Sequence, residues 1–424
     1  MIDFQNICKS YGEQVLMDNV SFRINSGDRV GVVGANGAGK STLFSIITGE
    51  LEPDSGSVNY PKSMRIGCLH QNLETAALET PLVEYTSDAL PELRAAAAEL
   101  KEIEHRMAEN RSAAEDERLL RRHGELQSQF EHLGGYRLKS EAEAALCGLG
   151  FKVEDFSKPL KAFSGGWRMR SALARVLIAR PDILLLDEPS NYLDIPAVEW
   201  LCRFLKSYSG TLLLISHDRF LLNRLTNVTL EVNKGNVTRY AGNYDYYRRE
   251  RANRAAMLEA QYQNQARKKE QMQRTIDRFR AKSTKAALAK SMQKALDRME
   301  DVETMDDLAV KGTLRLPDPP PSGAEAARLE NITFGYENSG RLIFKELNME
   351  IGAGDKLAFV GYNGMGKTTL LKLLISKLKP QAGRVVLGHH IVPGYLAQEF
   401  ADLLVMENTV YDTVKAAAAP GFPL

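Results

Sequence analysis

The sequence predicts an α/β fold built from two related domains, and three observations predict it. A glycine-rich loop of the phosphate-binding type occurs twice, at residues 34–41 (GANGAGKS) and 361–368 (GYNGMGKT). Each copy follows an apolar run typical of a buried strand and precedes an apolar pattern with helical spacing. Between the two copies, residues 243–300 are rich in long charged side chains that favour helix.

Length and composition limit the class of protein. The 424 residues have room for about two to four domains of roughly 100–200 residues each. The formal charge of +1 by itself says nothing about partners. The start, MIDFQNICKS, lacks the cationic and apolar regions of a secretory signal, and no apolar run approaches the roughly 18 residues of a membrane helix. We therefore expect a cytoplasmic protein.

Cysteine usage supports the same compartment. The four cysteines lie far apart and form no CxxC pair, which argues against a zinc site and against a disulfide framework. A reducing cytosol is the simpler interpretation. These residues are Cys8, Cys68, Cys147 and Cys202.

An internal repeat surrounds the two loops. SFRINSGDRVGVVG before the first loop resembles NMEIGAGDKLAFVG before the second, and Lys40 and Lys367 are 327 positions apart. This spacing is far longer than a solenoid repeat of about 20–50 residues and indicates two copies of one domain with an insert. Each copy opens with a short strand, reaches an aromatic residue (Tyr11 or Tyr336), and then runs an apolar strand directly into the loop and a helix. We thus predict a strand–loop–helix phosphate site in both copies.

The first copy contains further strands and a helical insert. Residues 81–150 carry apolar side chains at helical spacing, as in Leu93, Leu100 and Ile103, and predict an inserted helical subdomain. The segments ILLLDEP and TLLLISHD are short unbroken apolar runs typical of buried parallel strands. The first domain is predicted to cover residues 1–242.

A basic linker is predicted over residues 243–325. Residues 243–300 contain fifteen basic and seven acidic residues, a local excess of eight positive charges. Helix-forming residues dominate, so we predict two antiparallel helices that turn near Ser283 and Thr284. The segment LPDPPPSG (residues 316–323) ends the helix and leads into a second domain at residues 326–424.

The two loops carry the same chemistry. Their glycines allow successive backbone N–H groups to converge on phosphate oxygens, the lysine contacts the β- and γ-phosphates, and the hydroxyl binds Mg²⁺. The predicted nucleotide contacts of the first loop are Gly34, Ala35, Asn36, Gly37, Ala38, Gly39, Lys40, Ser41 and Thr42. Those of the second are Gly361, Tyr362, Asn363, Gly364, Met365, Gly366, Lys367, Thr368 and Thr369.

Five further motifs follow the first loop in a fixed order. An SGG triplet (Ser164, Gly165, Gly166) opens a helix, and ILLLD is followed by Glu188, by Asp194 in NYLD, and by a strand that ends at His217. This order resembles the ATP-binding cassette (ABC) superfamily, in which these are the signature, Walker B, catalytic glutamate, D-loop and switch histidine. The resemblance implies an α/β fold of the P-loop NTPase ABC-cassette type with a helical subdomain, a basic helical hairpin linker and the N-terminal part of a second cassette.

The resemblance also implies roles for single residues, with ATP and Mg²⁺ as cofactors. Asp187 would hold Mg²⁺ together with Ser41 and Gln71, and Thr368 would do so in the second copy. Glu188 would orient or deprotonate the attacking water, and His217 would reach the γ-phosphate.

Tyr11 and Tyr336 would stack on adenine, and Gln398 in PGYLAQE parallels Gln71. The simpler alternatives are that the two tyrosines are turn or core aromatics, that Glu188 is a solvated strand end, and that His217 is structural.

A narrower resemblance rests on four features. Two cassettes share one chain, no membrane segment is present, Trp167 follows SGG, and the linker reads RFRAKSTKAALAKSMQKALDRME. These features resemble the ABC-F family, whose members bind the ribosome near the tRNA exit site and extend the linker toward the peptidyl-tRNA. The implied partners are rRNA and peptidyl-tRNA, in translation or in protection from antibiotics. Phe163, Ser190 and Tyr192 depart from the usual motif residues.

Three alternatives stay open on sequence. A basic helical run can be a solvated face, although neutralised phosphates would give it salt-dependent RNA binding. The chain could instead be the ATP-binding subunit of a membrane transporter, or a nucleotide-gated scaffold without catalysis. The linker favours the ribosomal function, because a transporter subunit has no use for a basic hairpin between its domains.

The second copy is shorter than the first. Gln71 precedes Ser164 by 93 residues, whereas 26 residues follow Gln398. ABC cassettes work as pairs in which each ATP lies between one phosphate loop and the opposing SGG. No second SGG, Walker B aspartate or switch histidine fits into 26 residues, so we expect a carboxyl-terminal truncation that leaves neither composite site whole.

Overall fold

The computed structural model describes residues 1–69, 78–107, 113–132, 134–280, 291–294, 296, 323–336, 342–396 and 408–417. The chain divides into two compact units, residues 1–312 and residues 313–424. Each unit contains one of the two glycine-rich loops.

A six-stranded sheet forms the centre of the first unit. Its order is β5-β6-β7-β3-β8-β9, and every neighbouring pair is parallel except the last, which is antiparallel. The predicted buried strands in ILLLDEP and TLLLISHD are confirmed as the interior strands β6 and β7, whose leucines are inaccessible to solvent. Both faces of these strands are covered, which explains their unbroken apolar sequence. The strands are β3 (Arg29–Val33), β5 (Ile66–Leu69), β6 (Ile183–Asp187), β7 (Thr211–Ile215), β8 (Val228–Asn233) and β9 (Asn236–Tyr240).

A smaller antiparallel sheet covers one side of this unit. It has the order β2-β1-β4, with β1 at Ile2–Tyr11, β2 at Gln14–Ile24 and β4 at Ser55–Asn59. The rings of Phe4 and Phe22 stack with centroids 4.1 Å apart. Helix α1 (Lys40–Thr48) buries its apolar side chains in the same core as both sheets, which holds the glycine-rich loop between two packed elements.

Seven helices of the first unit follow in chain order among the described residues. The core on the other side of the large sheet is built largely from α5, α6, α7 and α8, whereas α3 and α4 pack on each other through Ala96, Ile103 and Leu126. The helices are α2 (Leu82–Ser87), α3 (Pro91–Met107), α4 (Ala113–His132), α5 (Gly135–Gly148), α6 (Gly165–Ile178), α7 (Ile195–Ser207) and α8 (Arg219–Leu225). Short 3₁₀ turns at Val153–Asp155 and Leu160–Ala162 precede α6.

One long helix, α9, runs from Tyr244 to Arg280. Its 37 residues span about 55 Å at the α-helical rise. It contains no proline and few β-branched residues, so nothing in its sequence interrupts it. The predicted turn at Ser283 and Thr284 lies outside the described residues.

The second unit has a three-stranded antiparallel sheet of order β11-β10-β12. Its strands are β10 (Glu325–Gly335), β11 (Leu342–Gly352) and β12 (Ala382–Leu387), and its helices are α10 (Lys367–Leu374) and α11 (Val410–Ala417). Leu329, Ile332 and Phe334 of β10 pack with Leu370 and Leu373 of α10. This small sheet and helix reproduce the arrangement of β1, β2, β4 and α1.

The repeat extends to the backbone of the two small sheets. Asn6 and Asn331 interrupt the first strand of each sheet with φ values of 49° and 51°. Facing them are Gly56 and Gly383, where an added Cβ would overlap the carbonyl oxygens of Asn6 and Asn331 respectively. Only glycine allows the neighbouring strand to approach these bulges, so both copies need it at the same place.

The predicted strand before the second loop is wrong. Residues 355–362 form no strand, and Leu357 and Val360 within them are 53% and 75% exposed. In the first unit the equivalent strand β3 lies between β7 and β8 and pairs with both. No such neighbours flank residues 355–362 in the described part of the second unit. A strand is stabilised by hydrogen bonds to paired neighbours, and the N–H and C=O groups of this exposed segment face water instead, so apolar sequence alone does not make it a strand.

Candidate nucleotide-binding site

The first glycine-rich loop connects β3 to α1. Gly37 and Gly39 adopt φ values of 76° and 100°, in the left-handed region that glycine tolerates best. A Cβ on Gly34 would overlap the carbonyl oxygen of Val232 in β8. The loop therefore needs glycine for conformation at two positions and for close packing at a third. Its backbone leads directly into the N-terminus of α1, a position that favours an anion.

Lys40, the first residue of α1, lies over this loop. Its Nζ donates hydrogen bonds to the carbonyl oxygens of Gly34 at 3.1 Å and Ala35 at 2.9 Å. Burial lowers the pKa of Lys40, and the nearby carboxyl groups of Glu188 and Asp187 act in the opposite direction. A cavity of about 250 Å³ adjoins the lysine, and its lining includes Gly34, Ala35, Lys40, Ser216 and His217. The ammonium group of Lys40 thus lies beside a cavity suited to phosphate groups.

The side-chain oxygens of Ser41 and Asp187 lie next to each other. Ser41 Oγ donates a hydrogen bond of 2.8 Å to Oδ2 of Asp187, the last residue of β6. Hydroxyl and carboxylate oxygens are the protein ligands Mg²⁺ uses when phosphates and waters complete its shell. The described residues contain no cluster of three or more His, Cys, Asp or Glu side chains able to hold a metal by themselves. The pair fits a shared Mg²⁺ site, and Gln71 lies outside the described residues.

Glu188 and His217 meet beside these oxygens. Glu188 has a φ of 49°, and its N–H donates to the carbonyl oxygen of Ile215 at 2.9 Å. Its Oε2 accepts a hydrogen bond of 3.3 Å from the backbone N–H of His217, and His217 Nε2 lies 3.6 Å from Oε1. Burial raises the pKa of Glu188 above that of an ordinary carboxyl group. A carboxylate with a raised pKa is a stronger base than an ordinary carboxylate, which suits it to accept a proton.

Tyr11 lies at the end of β1, where the hairpin to β2 begins. This residue is 54% exposed, and Lys9 Nζ lies 5.8 Å from the centroid of its ring. Gln14 Nε2 on the same hairpin donates a hydrogen bond of 3.2 Å to the carbonyl oxygen of Gly37. The exposed ring is therefore linked to the loop through a residue that sequence reasoning missed. Among the remaining loop residues, Asn36 is exposed, whereas Ala38 and Thr42 are half-buried.

The SGG triplet opens α6. Ser164 occupies the position before the helix with extended backbone angles, and α6 begins at Gly165. A Cβ on Gly165 would meet no atom within 4 Å, whereas one on Gly166 would lie 3.1 Å from Cδ1 of Tyr192. Gly165 therefore faces open space, and Gly166 lets the segment around Tyr192 pack closely.

Arg170, on the same helix, was not singled out from the sequence. It is almost fully buried, and its guanidinium donates to the carbonyl oxygens of Tyr192 at 2.8 Å and Leu149 at 2.7 Å. Its Nη2 lies 3.9 Å from Oδ2 of Asp194, which in turn caps α7 by accepting from Ala197 N at 3.2 Å. One arginine thus connects the SGG helix, the NYLD segment and the end of α5. The available signal was an arginine inside the apolar part of WRMRSALARVLIA.

The second loop has the same local geometry. Lys367 Nζ donates to the carbonyl oxygens of Gly361 at 2.6 Å and Tyr362 at 2.8 Å, and α10 begins at this lysine. Gly364 and Gly366 have φ values of 80° and 90°. A Thr368 hydrogen bond to a carboxyl group, the counterpart of the one from Ser41, does not occur within the described part of this unit. Gln398 lies outside the described residues.

A larger cavity of about 480 Å³ adjoins the second loop. Tyr336 follows β10, and its hydroxyl lies 3.1 Å from Oγ1 of Thr369. The structure thus places the aromatic residue, the loop and the helix start of this copy around one space. The cavity is lined by Tyr336, Leu342, Ile343, Asn363, Gly364, Met365, Gly366, Lys367, Thr368 and Thr369.

Comparison with known proteins identifies the family. The ABC transporter family matches residues 17–191 and 344–410, and a second family described as ABC transporter matches residues 230–312. The chain belongs to the ABC transporter family. The match confirms the predicted fold class, an ABC cassette. It also confirms the predicted resemblance of the first unit to ATP-binding cassettes. Within the described residues, no helix combines the length and the apolar character needed to cross a membrane.

Three relatives show how similar this ABC protein is to known sequences. The probable ATP-binding protein YheS of Escherichia coli K12 is 38% identical over 405 residues, which are 95% of this chain and 61% of YheS. The uncharacterized ABC transporter ATP-binding protein YfmM of Bacillus subtilis is 35% identical over 399 residues, 94% of this chain and 76% of YfmM. ABC transporter F family member 5 of Arabidopsis thaliana is 33% identical over 429 residues, 98% of this chain and 60% of that protein. The chain thus spans about 61% of the length of its YheS relatives.

Proposed function

We propose that this ABC protein is an ATPase of the ABC-F type that acts on the ribosome in the cytoplasm, as a translation factor or in protection from antibiotics. In this proposal, ATP-driven pairing of two cassettes moves the basic linker against rRNA and peptidyl-tRNA. The proposal rests on one observation: Ser41 contacts Asp187 and His217 contacts Glu188 beside the loop of Lys40. The same compact unit contains α9.

The chemistry at the first loop follows from these contacts. The loop N–H groups and the Lys40 ammonium bind the ATP phosphates, and Ser41 and Asp187 hold Mg²⁺. The metal, when bound, neutralises charge on the phosphates. Glu188, with its raised pKa, orients and deprotonates the attacking water, and His217 contacts the γ-phosphate from the adjoining strand end. Gln71 and Thr368 are the further Mg²⁺ ligands in this proposal.

The remaining predicted residues bind the rest of the nucleotide. Exposed Tyr11 stacks on one adenine, and Tyr336 lines the cavity in which a second adenine would stack. The SGG triplet offers the free N-terminus of α6 to the ATP of an opposing cassette. Gln398 takes the place of Gln71 in the second copy.

ATP turnover tests the catalytic part of the proposal. Glu188→Gln keeps the size of the side chain and an acceptor oxygen for the His217 N–H, but it removes the base. We expect phosphate release to fall by about 10²-fold or more, the scale of a general base. ATP affinity should stay within about threefold. Glu259→Gln, an exposed position on α9, is the matched control. Equal turnover in the Glu188→Gln variant would contradict the assigned role.

The ribosomal part rests on the charge of α9 and on the F-family relative. Exposed basic side chains occur along α9, including Arg248, Arg249, Arg267 and Lys268. Lysine and arginine release counterions when they neutralise phosphates, which makes binding strong and salt-dependent. Helical RNA would be contacted through shape and backbone. A helix of this length and charge therefore suits a structured RNA partner.

Co-sedimentation separates the ribosome from the alternatives. We expect association with ribosomes that weakens steeply between about 50 and 200 mM salt. Changing Arg248, Arg249, Arg267 and Lys268 to glutamine should weaken it and flatten the salt dependence. The control changes four exposed basic residues of the helical insert, Arg118, Arg121, Arg137 and Lys139. Salt-insensitive association would contradict the proposal, and co-sedimentation with membranes instead would favour the transporter-subunit alternative.

A further inference from the structure

Glu231 is a buried carboxyl group that the proposed chemistry does not use. It lies in β8 and is 3% exposed. β8 pairs in parallel with β3, and Glu231 stands opposite Val33, the residue directly before the first loop. A buried carboxyl group costs stability unless other groups satisfy it. Its partners therefore show what it holds in place.

Two hydroxyl donors and one cationic side chain converge on Glu231. Tyr240 Oη donates a hydrogen bond of 2.8 Å to Oε2, and Tyr247 Oη donates one of 3.1 Å to Oε1. Arg251 Nε lies 2.9 Å from Oε1 in an ion pair. Tyr247 and Arg251 are one turn apart on α9. We call Glu231, Tyr240, Tyr247 and Arg251 the α9 root, because they fasten the first turns of the long helix to the large sheet.

Further contacts fix the direction of α9 at this root. The rings of Tyr240 and Tyr247 meet edge to face with centroids 5.0 Å apart. Asn243 Oδ1 accepts from the N–H of Tyr246 at 3.1 Å and so starts the helix. The N–H of Asp245 donates to Oδ1 of Asn223 in α8 at 2.9 Å. The helix is thus held by side chains of β8, β9 and α8 at once.

The α9 root also reaches the first loop. Tyr244 and Tyr247 line the 250 Å³ cavity together with Gly34, Lys40 and His217. Tyr247 therefore borders this cavity while its hydroxyl binds Glu231. Gly34 also packs against the backbone of Val232, the neighbour of Glu231. β8 thus contacts the loop directly, and α9 borders the cavity that the loop also lines.

We propose that Glu231 and Tyr247 are positioning residues that transmit nucleotide binding at the first loop to the orientation of α9. The inference rests on the proposed function only in taking ATP as the occupant of that loop. Its physical basis is a continuous set of packed and hydrogen-bonded groups that runs from the first loop through β8 to α9. Nucleotide at the loop and the position of α9 can therefore both change the arrangement of these groups. Breaking the Glu231 contacts should leave the ATP contacts in place and remove the response of α9.

Amide hydrogen exchange of the chain, with and without ATPγS and Mg²⁺, tests this inference. In the unaltered protein we expect nucleotide to slow exchange of amides in the first three turns of α9 by about threefold or more, as local opening becomes rarer. Glu231→Ala and Tyr247→Phe should lose most of that change. ATPγS affinity, measured in parallel, should remain within about threefold in both variants. Glu231→Gln retains an acceptor oxygen and should give an intermediate response.

The outcomes separate the two proposals. Glu259→Gln, at an exposed position further along α9, should respond as the unaltered chain does. If Glu231→Ala fails to fold, Tyr247→Phe decides, because it keeps the ring and loses only the hydroxyl. A full α9 response in Tyr247→Phe would overturn the inference, as would nucleotide binding to the unaltered chain without any response in α9. Failure of the unaltered chain to bind ATPγS would overturn the proposed function as well.

Discussion

Ser41 and Asp187 are 146 positions apart in the chain, yet Ser41 Oγ and Asp187 Oδ2 lie 2.8 Å from each other. The order of the sheet brings them together. β3 and β6 are both neighbours of β7, so their carboxyl ends reach the same edge, where the loop after β3 meets the last residue of β6. This contact places two oxygens suited to Mg²⁺ at this edge of the sheet. It also distinguishes the first loop from the second, because Thr368 has no carboxyl partner within the described part of its unit.

The loop lysines should control nucleotide binding. Lys40→Ala removes the cation beside the first loop, and we expect ATP affinity at that loop to fall by about tenfold or more, the value of a charge-assisted hydrogen bond. Lys367→Ala should have the same effect at the second loop. Titration with a fluorescent ATP analogue would measure both. Lys62→Ala, an exposed lysine, is the control, and undiminished binding by the Lys40→Ala, Lys367→Ala double variant would contradict the assignment of both loops.

Glu188→Gln should stabilise the nucleotide-free protein at neutral pH. Burial raises the folded-state pKa of Glu188, so the folded protein disfavours the ionised form. The resulting cost is present above the folded pKa and disappears below the unfolded pKa of about 4.3. The melting temperature of the variant should therefore exceed that of the unaltered protein at pH 7.5, and the difference should shrink as the pH falls toward 4.5.

Calorimetry at four pH values between 7.5 and 4.5 would measure this difference. Glu259→Gln, at an exposed site, should show no comparable trend. A difference for Glu188→Gln that grows as the pH falls would have the wrong sign and would contradict burial as the cause of the raised pKa.

Two glycine substitutions should have opposite effects on stability. Gly34→Ala places a Cβ against the backbone of Val232, and we expect a loss of about 1–3 kcal/mol in the free energy of unfolding, together with weaker ATP binding. Gly124→Ala lies on the exposed face of α4 with no atom near its Cβ, and should gain up to about 1 kcal/mol. Denaturant unfolding would measure both. A Gly34→Ala protein as stable as the unaltered one would show that the loop can move away from β8.

The cysteines should differ in reactivity. Burial raises the pKa of the Cys68 thiol to about 12, and burial also raises that of Cys202, whereas Cys147 is exposed. Because the thiolate reacts, Cys68 should be modified about 10³-fold more slowly than an ordinary thiol at pH 8. Time-resolved modification with an aromatic disulfide reagent would show this, and Cys147→Ser should remove a fast phase. Fast modification of Cys68 in the folded protein would contradict its burial.

Much of the first unit was predictable because its signals are local. The glycine-rich loop, the apolar runs of β6 and β7 and the helical spacing of Leu93, Leu100 and Ile103 each lie within one short segment. The same reasoning failed at residues 355–362, where an apolar run has no paired neighbours in the described part of the second unit. It also passed over Arg170 and Glu231, because a buried charged residue does not reveal its partners from a single sequence.

The sequence by itself determined the two glycine-rich loops, the order of the ABC motifs and the basic character of α9, because each depends on residue types at fixed short spacings. The meeting of Ser41 with Asp187 was implied by the family resemblance, and the tertiary structure supplied the contact itself. Only the tertiary structure decided that Arg170 joins three segments and that Glu231 fastens α9 to the sheet beside the loop. These contacts join residues that strand order and helix packing bring together. Strand order and helix packing are properties of the whole domain and cannot be inferred from one short segment.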